Sequence, residues 1–582
     1  MLGKRSEQRG FFESDQLYLD FVGRDSFYGF LASQRGQLFR DEEFATLYCR
    51  DNGCPSVPPS LLATVLLLQT YDRVSDEEAK ARADFDLRWK VALGIELDSR
   101  PFAKSTLQLF RSQLIIHEAV FKVFKKSLAF ARQTGHLKHR KIKVALDTSN
   151  ILGRGAVKDT YNLVADGIVK LVRVLADLDG CQPEDWANAN NLAGYCTASS
   201  IKGEAGINWE DAKARQQFLQ GIVADADRLL ATARQTLTKY LPGSDDYQQV
   251  TTAAELLSQL LLQDIERQPE GARITEGVAK DRVVSVQDPE MRHGRKSKAK
   301  RFDGHKAAVA VDPQSQLITA VAVLPGNAPD HEQALKLVEQ SEENAEVAVE
   351  ETIGDCAYGD GGTRQEFADA KRKLVAKVPD RPQTAHFPKE DFRIDLETMT
   401  CTCPAGEECR TVVPQGRRQD RAGNDVEVQA FAFDPAVCAA CPLRAQCVKA
   451  GPGKGRTVTI HPQERLLQEA RAFQHRAAFA PYRAQRQVAE HRLARLMQLG
   501  LRQARYFGRT KTLFQLLLAA TVANLTLIAT KIGLLRARGS KRAHLFAHLT
   551  APAVAFAVAF IVSLPNTVRP TRLCHVQGRV VG

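Results

Sequence analysis

The chain has 582 residues, more than one ordinary hydrophobic core organises, so two or more domains, or one domain carrying insertions, are expected. Hydrophobic residues are 44% and charged residues 25%, ordinary globular usage that excludes wholesale disorder. With 80 Lys and Arg against 68 Asp and Glu, the net charge of +12 favours a polyanionic partner, nucleic acid being the commonest. Twelve cysteines are too dilute for a disulfide scaffold, and the N-terminal residues show no apolar stretch of a secretory signal, so a reducing cytoplasm is expected.

Residues 1–135 read as mostly helical. Pro58 and Pro59 precede an apolar run of helix length, Ser60 to Tyr71, with proline where a first turn tolerates it. Ser75 offers an N-cap with Glu78 at the third helical position, and Ser105 offers another cap. Several short helices with basic residues suit either a helix-turn-helix DNA reader or a plain bundle. The texture changes at Lys141: KIKVALDTSN predicts a central strand that ends at Asp147 and enters a turn containing Gly153 and Gly155. From about 161 to 280 apolar residues recur at helical spacing. Strands return at 305–312 and 317–326, joined by a hairpin connection at 313–316. A helix over 330–343 and a strand ending in Asp355 follow, then a shorter strand at 374–379. Residues 396 to about 450 form an island holding Cys401, Cys403, Cys409, Cys438, Cys441 and Cys447. One long helical stretch is predicted from 463 to 499, containing Pro481, and a buried helix from 513 to 535. Leu545–Leu564 has nearly spanning length, but His548 and Pro552 interrupt it and the clean apolar run is only Ala553 to Val562, so no membrane partner is expected. A basic tail closes the chain.

Asp147 and Asp355 share a context, each ending an apolar strand and facing a glycine-containing turn. In an α/β sheet such positions look into one crevice at the carboxyl ends of the strands. Two carboxylates there repel unless a cation lies between them, and a hard divalent ion such as Mg²⁺ is the natural occupant. Tyr482, Arg486 and Glu490, spaced i, i+4, i+8, stack on one helix face among Arg483, Arg492 and Arg495. That spacing suits an acid facing metal and phosphate together, and equally a solvated helix with Arg–Glu pairs. Glu464 and Glu469, earlier in the same region, are alternatives for the third acid. The run from Arg292 to Lys306 holds seven basic residues, Arg295, Lys296, Lys298, Lys300 and Arg301 among them, and meets no acid before Asp303. It reads as a phosphate-contacting segment or as a solvated charged loop. Cys438 and Cys441, two residues apart, with Cys447 beyond, have the spacing of half a zinc knuckle; Cys401, Cys403 or Cys409 would supply a fourth thiolate.

At these residues the chain resembles the bacterial insertion-sequence transposases with a DDE catalytic core. The resembling segments are ALDTSN around Asp147, residues 288–312, LPGNAPD at 324–330, TIGDCAYGD around Asp355, YRAQRQVAE and LRQARYFGRTKT, with the N-terminal helices before them. The resemblance implies an α/β, ribonuclease-H-like mixed-sheet core over 136–535, interrupted by a helical insertion (about 161–280) and a Cys-rich one (about 396–450). An all-α N-terminal DNA-binding domain would precede it over 1–135, and an apolar and basic tail would follow over 536–582. It further implies Asp147, Asp355 and Glu490 as the catalytic acids on two Mg²⁺ ions, Tyr482 and Arg486 as companions of the glutamate at DNA, double-stranded DNA as partner and a homodimer at the paired element ends. Two departures stand out: three residues separate Tyr482 from Arg486 where the usual signature has two, and Met497 stands where a basic residue is usual, with Arg495 the nearest substitute. The rivals are a metal-dependent nuclease that cuts without joining and a catalytically inactive DNA-binding descendant.

Overall fold

The computed structural model describes residues 1–5, 13–50, 52–297, 299–379, 386–419 and 423–535. Lys298, the Leu545–Leu564 segment and the basic tail lie outside them.

The N-terminal region is helical. Pro59 opens the helix Pro59–Asp72, and Pro59 through Gln69 are all buried, as an apolar run without a polar face requires. The Ser75 hydroxyl accepts from the Glu78 amide at 3.0 Å and starts the helix Asp76–Phe85. Ser105 is not a cap: its helix begins at Lys104, with Ala103 at the cap position.

The central sheet is mixed. Its strands are β1 (Lys141–Leu152), β4 (Arg292–Arg295), β5 (Arg301–Val311), β6 (Ile318–Pro325), β7 (Ala348–Gly354) and β8 (Leu374–Ala376), while β2 (Ile265–Gln268) and β3 (Gly271–Ile274) form a separate hairpin. The order across the sheet is β6-β5-β1-β7-β8, and β4 prolongs the outer edge of β5 beyond β6. The pairs β6/β5 and β5/β1 are antiparallel, and β1/β7 and β7/β8 are parallel. Val144, Ala145 and Leu146 are fully buried, the continuous apolar run of a strand covered on both faces.

One expectation needs correction here. β1 does not stop at Asp147 but runs on to Leu152, because β5 pairs with it from Ala145 to Leu152 and takes up its backbone hydrogen bonds. The parallel partner β7 lets go earlier, at the Ala145–Ile353 register. Asp147 therefore stands just past the end of β7, at the mouth of the crevice between the two strands.

The helix Arg509–Lys531 runs buried through the core, against the helices Pro59–Asp72 and Val120–Gln133 and against β6. Asn524 pins it: its side chain receives the Ile318 amide at 2.9 Å and donates to the Ile318 carbonyl at 2.9 Å and to Ser127 at 3.3 Å. One continuous apolar core thus joins the N-terminal helices to the sheet. Among the described residues this is the one helix long and apolar enough to cross a membrane, and most of it is buried in the protein.

Two further apolar cores stand apart. The first belongs to the helices Thr160–Leu178, Ala212–Leu237 and Asp245–Asp264. It includes the β2–β3 hairpin, which helical periodicity did not foretell; its turn is Pro269-Glu270-Gly271. Asp264 closes the neck, accepting from Thr160 at 3.0 Å and from Arg282 at 2.5 Å. The second core is the cysteine island, made of short antiparallel strands around Phe431 and Phe433 and reaching from Phe387 to Ile460. The long helix expected over 463–499 is broken into Glu464–Gln474 and Ala480–Leu496. Pro481 sits in the first turn of the second piece, where its missing N–H costs nothing.

Candidate active site

The helix Ala480–Leu496 lies across β1, β5 and β7, burying Ala489, Arg492, Leu493 and Leu496 against the core and leaving Glu490 exposed. Asp355 directly follows β7, and one of its oxygens accepts the Ala357 amide at 2.8 Å. Asp147 receives its own neighbour's amide, from Thr148, on Oδ1 at 2.8 Å. Burial pushes the Asp147 carboxyl up to about 6, and the charges of Asp355 and Glu490 push the same way. The Thr148 amide and the Arg486 guanidinium oppose them. Acids from three separate elements thus feel one another's charge in one crevice. Arg486 bridges to Glu490 at 2.6 Å, one turn along the helix.

Among the described residues no three His, Cys, Asp or Glu side chains converge in metal-ligating geometry, and the Glu490 carboxylate is turned onto Arg486. The chemistry of the donor set nevertheless fits a hard divalent cation: three carboxylates, no sulfur, and a half-buried aspartate whose charge is poorly compensated.

The alternative glutamates lie elsewhere. Glu464 is buried, bonded to Lys389 and to the His461 amide at 3.0 Å, and so anchors its helix to the cysteine island. Glu469 lines cavities beside β8 and the island. Tyr482 packs beside the middle of β7, at the Lys143–Glu351 pair, and away from Asp147. Its hydroxyl donates to Glu351 at 2.9 Å and the Lys143 ammonium lies 5.2 Å from its ring centre. Burial would raise the Glu351 carboxyl, but Lys143, Lys373 and Tyr482 together hold it at about 2.

The basic run forms a ribbon of β4 and the start of β5, not a loop. Arg295 and Arg301 face each other across it, both exposed, with Lys296 and Lys300 at the exposed tip. Like charges directly opposite disfavour the pairing unless an anion lies over them. Asp303 is held by His293 at 2.5 Å and offers them nothing.

In the island, burial raises the Cys447 thiol, and the thiols of Cys438, Cys403 and Cys441 act on it in addition. Cys438 Sγ accepts the Arg456 amide at 3.5 Å. Cys409 is spent on the Ala432 carbonyl at 3.1 Å, and Cys401 pairs with Cys409 across the strands with its thiol pushed up to about 12. Of the three candidates for a fourth thiolate, Cys403 acts on Cys447 and Cys409 feels Cys438.

Sequence reasoning passed over the groups packed against the Asp355 turn. Lys306 donates to Asp330 at 2.8 Å and to the Ala328 carbonyl at 2.6 Å. His331 meets the Ala357 carbonyl at 3.1 Å, which latches the 326–331 loop onto that turn. Tyr358 is 1% exposed, and its hydroxyl has no hydrogen-bond partner among the described residues. Its place three residues after Asp355 was the available signal.

Comparison with known families adds two matches. A transposase domain (DUF772) matches residues 19–113, the N-terminal helices, and a transposase DDE domain matches residues 402–529, which carry Glu490 and the buried helix Arg509–Lys531. Asp147 and Asp355 lie outside both matched ranges. No curated protein matches the chain, and no solved structure does. The chain thus carries two transposase domains, and together they support an insertion-sequence DDE transposase.

Proposed function

We propose that the protein binds the ends of its insertion sequence and catalyses metal-dependent DNA cleavage and strand transfer. The observation that carries this reading is the gathering of Asp147, Asp355 and Glu490 from β1, the end of β7 and the helix Ala480–Leu496 into one electrostatically coupled crevice. The strand order, two antiparallel pairs followed by two parallel ones with the acids at the carboxyl end of the parallel pair, supports a ribonuclease-H-like core.

Asp147, Asp355 and Glu490 would hold two Mg²⁺ ions. Bound there, the metal supplies Lewis-acid activation of a water or 3′-hydroxyl and stabilises the leaving oxygen of an in-line displacement. The protein's part is orientation. The Thr148 and Ala357 amides fix one oxygen of each aspartate. Arg486 pairs with Glu490, and DNA phosphate competing for the guanidinium would free that carboxylate to hold the metal. The basic run of Arg295, Lys296, Lys298, Lys300 and Arg301 contacts the duplex backbone, and the N-terminal helices read element ends. Tyr482 braces the helix through Glu351. Two element ends must meet, so the acting form is a homodimer on double-stranded DNA, in the cytoplasm at the nucleoid. A structural Zn²⁺ on Cys403, Cys438, Cys441 and Cys447 would stiffen the island.

The test is strand transfer by the purified chain on DNA carrying the element's ends, with Mg²⁺ or Mn²⁺. Joined products that fall by more than about 10³-fold in Asp355→Ala are expected, because the lost ligand removes several kcal/mol of charge stabilisation. Cleavage without joining would favour the nuclease. Binding with neither reaction would favour the inactive DNA-binding protein.

A further inference from the structure

The Tyr358 side chain is among the largest fully buried ones in the protein. Its hydroxyl, enclosed and without a partner, is an expensive arrangement, since an unpaired buried O–H forfeits its hydrogen bonds to water. The ring is held tightly from behind: a Cβ on Gly354 would lie 2.6 Å from Tyr358 Cβ, so this close approach admits only glycine there. Asp147, Asp330 and Asp355 are the acids whose charges act on the phenol. Asp330 is already committed to Lys306, and Asp355 accepts the Ala357 amide. Asp147 has the Thr148 amide on Oδ1, which leaves Oδ2 as the acceptor nearest to need.

We infer that Tyr358 is a positioning residue of the metal site: its hydroxyl donates to the Asp147 carboxylate when a divalent cation draws that carboxylate into place. The orphan hydroxyl of the metal-free protein is then the vacant half of a hydrogen bond completed on metal binding. Two donors, the Thr148 amide and the Tyr358 hydroxyl, would fix the carboxylate's rotation, and such outer partners of a ligand typically contribute roughly 10–100-fold to metal affinity. The inference rests on the proposed metal-binding role of the three acids, and its test separates the two.

The experiment is a Mn²⁺ titration of the full chain, reading free Mn²⁺ by electron paramagnetic resonance, for wild type, Asp355→Ala and Tyr358→Phe, with thermal unfolding of each in EDTA. Mn²⁺ is a hard ion that the thiols of the island do not contest. Wild type is expected to bind and Asp355→Ala to lose that binding. Tyr358→Phe is expected to bind roughly 10–100-fold more weakly, while unfolding in EDTA at or above the wild-type temperature, since the hydroxyl has no partner to lose. Mn²⁺ affinity of Tyr358→Phe within twofold of wild type would overturn the inference and leave the metal site standing. So would a lowered unfolding temperature in EDTA, which would make the hydroxyl a structural group. Wild type that binds no Mn²⁺, or Asp355→Ala that binds it unchanged, would overturn both.

Discussion

Glu351, midway along β7 and paired with Lys143, and Asp147, four residues further along β1, are carboxylates treated in opposite ways. Glu351 is wrapped by Lys143, Lys373 and the Tyr482 hydroxyl and held at about 2. Asp147 is half-buried beside two more acids, receives a single backbone amide and is pushed up to about 6. A folding chain satisfies buried charge where nothing else will come to do so. Where a ligand is to supply the missing charge, it leaves the carboxylate under strain. The contrast separates a carboxylate satisfied by the fold from the one proposed as a metal ligand.

The largest expected effect breaks the contrast at the strained carboxylate. The folded Asp147 carboxyl titrates above its unfolded value, so its contribution is fully present below about pH 4 and is lost as pH rises through about 6. Asp147→Asn should therefore stabilise the metal-free protein at pH 7 by about 3 kcal/mol, from roughly two pK units at 1.36 kcal/mol each, and the gain should vanish near pH 4. Denaturant unfolding in EDTA at the two pH values checks this, and a destabilised Asn variant at pH 7 would refute it. The next effect has the opposite sign. Glu351 titrates below its unfolded value, so its contribution is present above about pH 4 and lost as pH falls towards about 2. Glu351→Gln should cost about 2 kcal/mol at pH 7, the full shift being discounted because Lys143 and Lys373 are partly exposed. The same unfolding measurement reads it, and an unchanged midpoint would show that the wrapping adds no stability. The smallest effect is Tyr482→Phe, which should cost about 1 kcal/mol for one hydrogen bond to a charged, partly buried group. Its DNA affinity, by fluorescence anisotropy, should equal that of wild type; a tenfold loss would return Tyr482 to the DNA-contacting face.

Much of this was legible in the residues. The apolar run ending in Ala145-Leu146-Asp147, the strand before Asp355, the Ser75 cap and the proline-led helix at Pro59 are local patterns, and local patterns survive folding. What escaped is long-range. β1 reaches Leu152 because a strand more than 150 residues later pairs with it, and no window along the chain contains both. The basic run becomes a ribbon for the same reason, since β4 folds back on the start of β5. Pro481 could be read as interior to one helix or as the first turn of another, and only the packing against β1 chose. Cys403 comes within reach of Cys447 through the fold and not through the spacing of Cys438, Cys441 and Cys447. Tyr358 is marked in the sequence only by its place three residues after Asp355; a buried hydroxyl without a partner exists only in three dimensions.

The central claim is that Asp147, Asp355 and Glu490 share a divalent cation. An anomalous difference map from crystals grown with Mn²⁺ tests it most directly. The account predicts density between the three carboxylates, with Glu490 swung from Arg486 towards it. Manganese bound elsewhere, with that crevice empty and the Arg486–Glu490 bridge intact, would contradict it.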